Sequence, residues 1–176
     1  MGGALGPRPA SDKKPHSESL RFNRSSDMSA TFFVTKSLRP KKPVLDANAR
    51  EIIVSALSFA VQNNRIHLRA FVVMPDHGHA LFALCEPWTL PRFMQAMMSF
   101  VGSRTSALLK QHETRWQDGY YDTHIKSARQ FAYVGSYIQQ NPVAKGLVTE
   151  ATAWDASSVT RSDLVTEPWP WMWIED

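Results

Sequence analysis

The chain has 176 residues, 43% of them hydrophobic and six of them tryptophan, which is enough apolar material for one folded domain and excludes a wholly disordered chain. The single cysteine, Cys85, excludes an intrachain disulfide framework, and no apolar run approaches the roughly 20 residues of a membrane helix, so we expect a cytoplasmic protein that does not enter a membrane. Residues 29–149 contain 14 Lys and Arg against 7 Asp and Glu, a balance that suits a nucleic-acid partner and equally an ordinary solvated basic surface.

Both ends of the chain differ in composition from its centre. Residues 1–28 are rich in Gly, Pro, Ser and charged side chains, and they predict a flexible leader. Residues 150–176 contain six acids against one Arg and end in the Trp-rich stretch "EPWPWMWIED", which we expect to pack over the domain rather than occupy a DNA groove. The folded domain is therefore expected over residues 29–149.

The first half of that domain predicts three strands and a helix. The β-branched and aromatic stretch "ATFFVTKSL" (30–38) is typical of a strand, and Asp46 is placed to cap a helix that runs to about Asn63. Residues 65–75 and 77–84 predict two further strands, joined by a short turn at Pro75 and Asp76. The order of this half is β-α-β-β.

The second half predicts a long helix, a short strand and a last helix. Thr89 is placed to cap a helix to about Gln111, residues 116–125 predict a loop and a short strand, and residues 127–140 predict a helix that Asn141 and Pro142 end. The full order β-α-β-β-α-β-α predicts an α+β fold of the ferredoxin-like (RRM-like) type, with the helices packed on one face of an antiparallel sheet.

The stretch "VVMPDHGHALFAL" (72–84) places His77 and His79 two residues apart in a strand, where both side chains point to one face. The pair is either two strand-end histidines or two ligands of a metal ion, and the pattern alone does not decide between these interpretations. Gly78 between them leaves room for a ligand. The chain lacks the cysteines of a structural zinc site, so a third ligand must come from elsewhere, and an oxygen donor would favour Mg²⁺ or Mn²⁺ over Zn²⁺.

Three polar residues of the last predicted helix share one helical face. Tyr133, Tyr137 and Asn141 lie at positions i, i+4 and i+8. A tyrosine hydroxyl can attack phosphorus and form a phosphotyrosyl ester, although tyrosines at this spacing are also typical of the edge of a core. Helical spacing does not choose between Tyr133 and Tyr137 as a nucleophile.

Two motifs together resemble a known family. The stretch "FVVMPDHGHALF" resembles the "MPNHxH" signature of the single-tyrosine HUH transposases, and "YIQQNPVAKGLV" resembles their "YIxxNPVxxGLV" segment. The stretches "WQDGYYDTHI" and "WDASS" are similar to one branch, the REP-associated tyrosine transposases, where REP denotes a repetitive extragenic palindrome. The resemblance extends from about residue 30 to residue 158 in the family's order and spacing.

The resemblance implies a role for each matching residue. His77 and His79 correspond to the two histidines that bind Mg²⁺ or Mn²⁺, and Asn141 corresponds to the position that supplies a third metal ligand. Tyr137 corresponds to the nucleophile, which forms a 5′-phosphotyrosine bond and frees a 3′-OH, whereas Tyr133 remains a packing or DNA-contacting residue. The family's substrate is single-stranded DNA beside a short imperfect hairpin.

One residue departs from the family pattern. Asp76 stands where Asn usually precedes the first histidine. Its carboxylate would either join the metal site or cap the turn, and we expect the second role.

Trp116 is a minor candidate for a DNA contact, and His124 is a minor candidate for the active site. The residues expected to contact phosphates or stack on bases are Lys41, Lys42, Arg65, Arg69, Arg92, Arg104, Arg115, Tyr120, Tyr121, Lys126 and Arg129.

These observations predict a metal-dependent DNA strand transferase or endonuclease, a transposase or a domesticated one, that acts on single-stranded or hairpin DNA as a monomer or homodimer. One alternative is a DNA-hairpin-binding protein without cleavage activity. Another is a small metal-dependent hydrolase whose tyrosines are structural.

Overall fold

The computed structural model describes residues 31–42, 44–109 and 116–167. The predicted leader, Arg115 and the Trp-rich stretch from residue 168 onward lie outside these ranges. Within them, no helix is both long and apolar enough to cross a membrane.

Four strands and three helices follow one another in the predicted order β-α-β-β-α-β-α. The elements are β1 (Thr31–Ser37), α1 (Ala47–Gln62), β2 (Ile66–Val73), β3 (His77–Leu84), α2 (Leu90–Leu109), β4 (Tyr121–His124) and α3 (Ala128–Ala144). The strands form one antiparallel sheet in the order β2-β3-β1-β4. Because β3 lies between β1 and β2, the connection through α1 is a split β-α-β unit, and the predicted α+β fold is confirmed.

The helices lie on both faces of the sheet, so the prediction that all of them pack on one face is wrong. Phe71 and Val73 of β2 join the core cluster that contains α1 and α2 residues, whereas Val72 and Met74 join a second cluster with Ile138 of α3. Neighbouring residues of a strand point to opposite faces. The continuous apolar run of β2 is therefore explained by burial on both faces.

Two local sequence signals, a helix cap and a hairpin turn, act as predicted. The Asp46 carboxylate accepts a hydrogen bond from the Ala49 N–H at 2.8 Å and caps α1. At the hairpin between β2 and β3, the Met74 N–H donates to the His77 carbonyl at 2.8 Å across Pro75 and Asp76. This hairpin fixes the start of β3, where the two histidines lie.

The last helix is longer than predicted, because it continues through Pro142 to Ala144. Proline in the last turn removes only one backbone donor, and the helix tolerates that loss. The residue that terminates the helix is instead Gly146, which lies two positions beyond Ala144 and has a left-handed φ of 66°. The Gly146 N–H donates to the Val143 carbonyl and the Leu147 N–H to the Pro142 carbonyl, a Schellman motif. This extra turn keeps Asn141 inside the helix.

Residues 150–167 pack along the outer edge of β2. The Val73 N–H donates to the Ala156 carbonyl at 2.8 Å, and the Ser158 N–H donates to the Phe71 carbonyl at 2.9 Å. Further along, the Thr166 N–H donates to the Leu68 carbonyl at 2.8 Å. These hydrogen bonds satisfy backbone groups that an open edge strand would leave unpaired.

Candidate active site

The two histidines of β3 lie side by side on the sheet face that α3 covers. The ring centroids of His77 and His79 are 4.6 Å apart, with the ring planes at 72°. Strand pairing places His79 opposite Val72 on one side and Thr35 on the other. The two histidines therefore share one face of the sheet, as the alternation of side chains along a strand predicts.

His79 is held as a neutral imidazole with one nitrogen available. The residue is only 7% exposed, and burial, with smaller effects of the His77 and Lys145 charges, lowers its pKa to about 3. Nδ1 lies 2.8 Å from the Thr35 hydroxyl oxygen, which accepts the Nδ1 proton in one tautomer. Nε2 then carries a lone pair, and it is buried without a hydrogen-bond partner among the described residues. A metal ligand requires this neutral state and this open lone pair.

His77 has a different partner on its Nδ1. The Asp76 carboxylate oxygen lies 2.6 Å from that nitrogen, and the His77 side chain is 16% exposed. Within the part of the chain that the structure describes, Nε2 of His77 makes no hydrogen bond. Both histidines therefore use Nδ1 within the protein and leave Nε2 open.

Helix α3 brings Tyr137 to the histidines. The Tyr137 ring centroid is 5.4 Å from that of His79 and 6.2 Å from that of Phe33, in edge-to-face geometry. Tyr133, one turn earlier, is 50% exposed. Asn141, one turn later, is 3% exposed, and its Oδ1 is buried without a hydrogen-bond partner among the described residues. Of the two tyrosines, Tyr137 is the one that the fold places against the histidine pair.

The donor atoms present fit a hard divalent cation with mixed nitrogen and oxygen ligands. In the described ranges, no group of three or more His, Cys, Asp or Glu side chains is arranged to hold a metal ion. A third protein ligand for such an ion would therefore be of another type. The Asn141 amide oxygen is of another type and, like Nε2 of His79, is a buried acceptor without a hydrogen-bond partner among the described residues. Leaving both acceptors without a partner costs stability. An amide oxygen is a donor that Mg²⁺ and Mn²⁺ accept.

One of the predicted DNA-contacting residues, Tyr121, lies in line with this site. Tyr121 of β4 pairs with Thr35, which pairs with His79, so the three residues form one row across the sheet. Side chains that are directly paired share a face. Lys126, just after β4, and Arg129, in the first turn of α3, are exposed, and the Lys126 backbone N–H donates a hydrogen bond to Gln130 Oε1.

Other predicted contacts lie far from the histidines. Arg65 stacks between Phe59 and Trp88, at 4.7 and 4.6 Å, and Arg92 stacks on Trp88 at 4.7 Å. Arg65 precedes Ile66, which pairs with the end of β3 opposite to His77. Seven residues of strand, at about 3.3 Å each, separate the two ends by roughly 23 Å.

The remaining candidates lie in several places. Lys41 is exposed and Lys42 half-buried in the loop after β1. Arg69 forms an ion pair with Glu167 at 3.5 Å, and Arg104 is exposed on α2 beside Phe100.

Three of the aromatic candidates between residues 116 and 124 pack on the face of the sheet that α1 and α2 cover. Trp116 is 6% exposed in the main core cluster, and Tyr120 packs against the same cluster. His124 stacks with Phe32 at 5.7 Å, and Phe32 packs on the face that α1 and α2 cover. His124 is therefore on the opposite side of the sheet from His79.

Two further residues near the site, Thr35 and Lys145, were not predicted from the sequence. Thr35 lies 44 residues before His79, and only the pairing of β1 with β3 brings them together. Lys145 follows Tyr137 and Asn141 at the same four-residue spacing and is exposed at the end of α3. The spacing would have indicated Lys145 if the helix had been predicted to continue past Pro142.

The chain belongs to the IS200-like transposase family, because the family model described as "Transposase IS200 like" matches residues 30–141. It is therefore a member of a family of DNA-processing enzymes. It is 25% identical over 152 residues to the REP-associated tyrosine transposase of Escherichia coli (strain K12), covering 83% of this chain and 86% of that protein. Its fold is similar to that of a REP-associated tyrosine transposase solved in complex with a REP hairpin, with a TM-score of 0.66, 20% identity and coverage of 92% and 95% of the two chains. The resemblance drawn from the two motifs is confirmed.

Proposed function

We propose that this transposase cleaves single-stranded DNA and transfers the strand through a covalent 5′-phosphotyrosine bond to Tyr137. One observation carries the proposal. The Tyr137 ring lies 5.4 Å from the ring of His79, whose Nε2 is buried and has no hydrogen-bond partner among the described residues. A nucleophile beside an open metal-ligand atom is the arrangement that phosphoryl transfer needs.

Tyr137 supplies the attacking oxygen. Its hydroxyl loses a proton, Oη bonds to phosphorus, and the bond between phosphorus and O3′ breaks. The departing O3′ takes up a proton and becomes a free 3′-OH. Because one phosphodiester replaces another, attack by a new 3′-OH on the phosphotyrosine joins strands without ATP. The edge contact with Phe33 restricts the rotation of the Tyr137 ring.

His77, His79 and Asn141 would hold a divalent cation, Mg²⁺ or Mn²⁺. When bound, this ion supplies polarisation of a non-bridging phosphate oxygen and a fixed position for the phosphate. The protein contributes a neutral His79 imidazole at physiological pH, because burial lowers the pKa of His79 to about 3. No proton has to leave His79 before the ion binds.

The substrate class that we propose is hairpin-forming DNA with an unpaired strand at the site. A REP hairpin is the DNA bound to the relative of similar fold. In this chain, Tyr121 lies in the same strand row as His79 and is half-buried, so part of its ring is available to an unpaired base. Lys126 and Arg129 are exposed and can contact DNA phosphates.

The test uses a labelled single-stranded oligonucleotide that carries a hairpin, incubated with the full chain and Mn²⁺ or Mg²⁺. We expect a protein–DNA adduct that resists denaturant, is lost in Tyr137→Phe and persists in Tyr133→Phe. Tyr133 is the matched control because it lies one turn away on the same helix and is half exposed.

Two other results would support the alternatives. DNA binding without an adduct under either ion would indicate a hairpin-binding protein that does not cleave. Cleavage that persists in Tyr137→Phe would indicate a metal-dependent hydrolase, and it would overturn the assignment of Tyr137.

A further inference from the structure

The side chain of Asp76 is bonded to a histidine and not to the turn in which it lies. Its carboxylate contacts Nδ1 of His77 at 2.6 Å, and among the described residues it accepts no hydrogen bond from a backbone N–H. The turn is held by main-chain bonds, from the Leu38 N–H to the Asp76 carbonyl at 2.8 Å and from the Leu45 N–H to the Pro75 carbonyl at 2.7 Å. The expected role of this carboxylate as a turn cap is therefore wrong.

We propose that Asp76 is a positioning residue that fixes the orientation and tautomer of His77, so that Nε2 of His77 is available to a divalent cation. This inference rests on the proposed function. A carboxylate that accepts the Nδ1 proton keeps the lone pair on Nε2 and makes that nitrogen a more basic ligand. The Asp76 side chain itself is 72% exposed, so the carboxylate stays solvated while it orients a ring that is only 16% exposed.

The neighbouring histidine has an equivalent partner of a different kind. Thr35 contacts Nδ1 of His79 at 2.8 Å, with a neutral hydroxyl in place of a carboxylate. The site therefore has one neutral and one charged residue that orient its two imidazoles. The His77 ring is the more exposed of the two and has the stronger partner, because a hydrogen bond to an ionised acceptor is about twice as strong as a neutral one.

Substitution by Asn separates the geometry from the charge. The amide oxygen of Asn can accept the Nδ1 proton, whereas Ala removes the acceptor altogether. Asp76→Ala should therefore lose the orientation of His77, and Asp76→Asn should keep much of it. Asn is also the residue that the family pattern places at this position, so the fold should tolerate it.

The first measurement is the tautomer of His77 in the metal-free full chain, from two-bond proton–nitrogen NMR correlations at pH 8. We expect the Nδ1–H form in the unmodified protein and in Asp76→Asn, and a mixture with the Nε2–H form in Asp76→Ala. An unchanged Nδ1–H signal in Asp76→Ala would overturn the proposal, because the ring would then be fixed by other contacts.

The second measurement is Mn²⁺ affinity by isothermal titration calorimetry. We expect a loss of about tenfold or more in Asp76→Ala and a smaller loss in Asp76→Asn, as is typical of groups that orient metal ligands. The control is Asp155→Ala, because the Asp155 carboxylate is 71% exposed and pairs with Arg50. An equal loss of Mn²⁺ affinity in Asp76→Ala and Asp155→Ala would overturn the proposal, because the change in net charge would then explain the effect. If Mn²⁺ affinity falls as expected but no covalent adduct forms, the proposed function fails and the role of Asp76 stands.

Discussion

Acid should destabilise the fold through His79. Burial lowers the pKa of this imidazole from 6.5 to about 3, so between those values the unfolded chain binds a proton that the folded chain does not. Stability therefore falls as the pH falls through this range. Each pH unit below 6.5 costs about 1.4 kcal/mol, and the free energy of unfolding at pH 5 should be lower by about 2 kcal/mol than at pH 7 from this residue alone.

Urea unfolding followed by circular dichroism, in EDTA at pH 7 and pH 5, measures the effect. His79→Gln removes the titrating group. Between pH 7 and pH 5, the free energy of unfolding should therefore fall by about 2 kcal/mol more in the unmodified chain than in this variant. His124→Gln is the matched control, since His124 is exposed, and it should keep the full loss. The same loss in the unmodified chain and in His79→Gln would refute the buried neutral imidazole on which the metal-site argument depends.

Two further predictions concern residues beside the site. Thr35→Val removes the acceptor of the His79 Nδ1 proton, so Mn²⁺ affinity measured by calorimetry should fall about tenfold; unchanged affinity would show that the hydroxyl does not orient the ring. Lys145→Gln removes an exposed positive charge close enough to lower the pKa of His79. If Lys145 contacts a phosphate, the slope of log affinity for single-stranded DNA against log salt should become shallower by about 0.7, and an identical slope by fluorescence anisotropy would contradict that contact.

Local sequence signals were sufficient for the elements but not for every boundary. The Asp46 cap and the Pro75–Asp76 hairpin act through residues a few positions apart, and both are visible in the sequence. At the end of α3, two stop signals compete within five residues. Pro142 costs the helix one hydrogen bond, whereas Gly146 adopts the left-handed conformation that ends it. The glycine is the stronger signal because it allows two bonds that satisfy the last carbonyls.

The faces of the sheet depend on contacts that are distant in sequence. The apolar run of β2 could have indicated burial on both sides, but which helix covers which side follows only from packing. The same limit applies to the site. The spacing of His77 and His79 places them on one face, whereas the contact of Thr35 with His79 joins residues 44 positions apart. Helical spacing alone does not choose between Tyr133 and Tyr137; the family resemblance indicates Tyr137, and the physical reason is how α3 packs on β2 and β3.

The proposed strand transfer requires that Tyr137 become covalently bonded to DNA. The most direct measurement is to trap the adduct with a hairpin oligonucleotide and Mn²⁺, digest it with nuclease and trypsin, and locate the nucleotide by tandem mass spectrometry. The tryptic peptide of residues 130–145 contains both Tyr133 and Tyr137, and its fragments distinguish them. We expect a 5′-phosphate ester on Tyr137, and a modified Tyr133 or an unmodified peptide would contradict the proposed nucleophile.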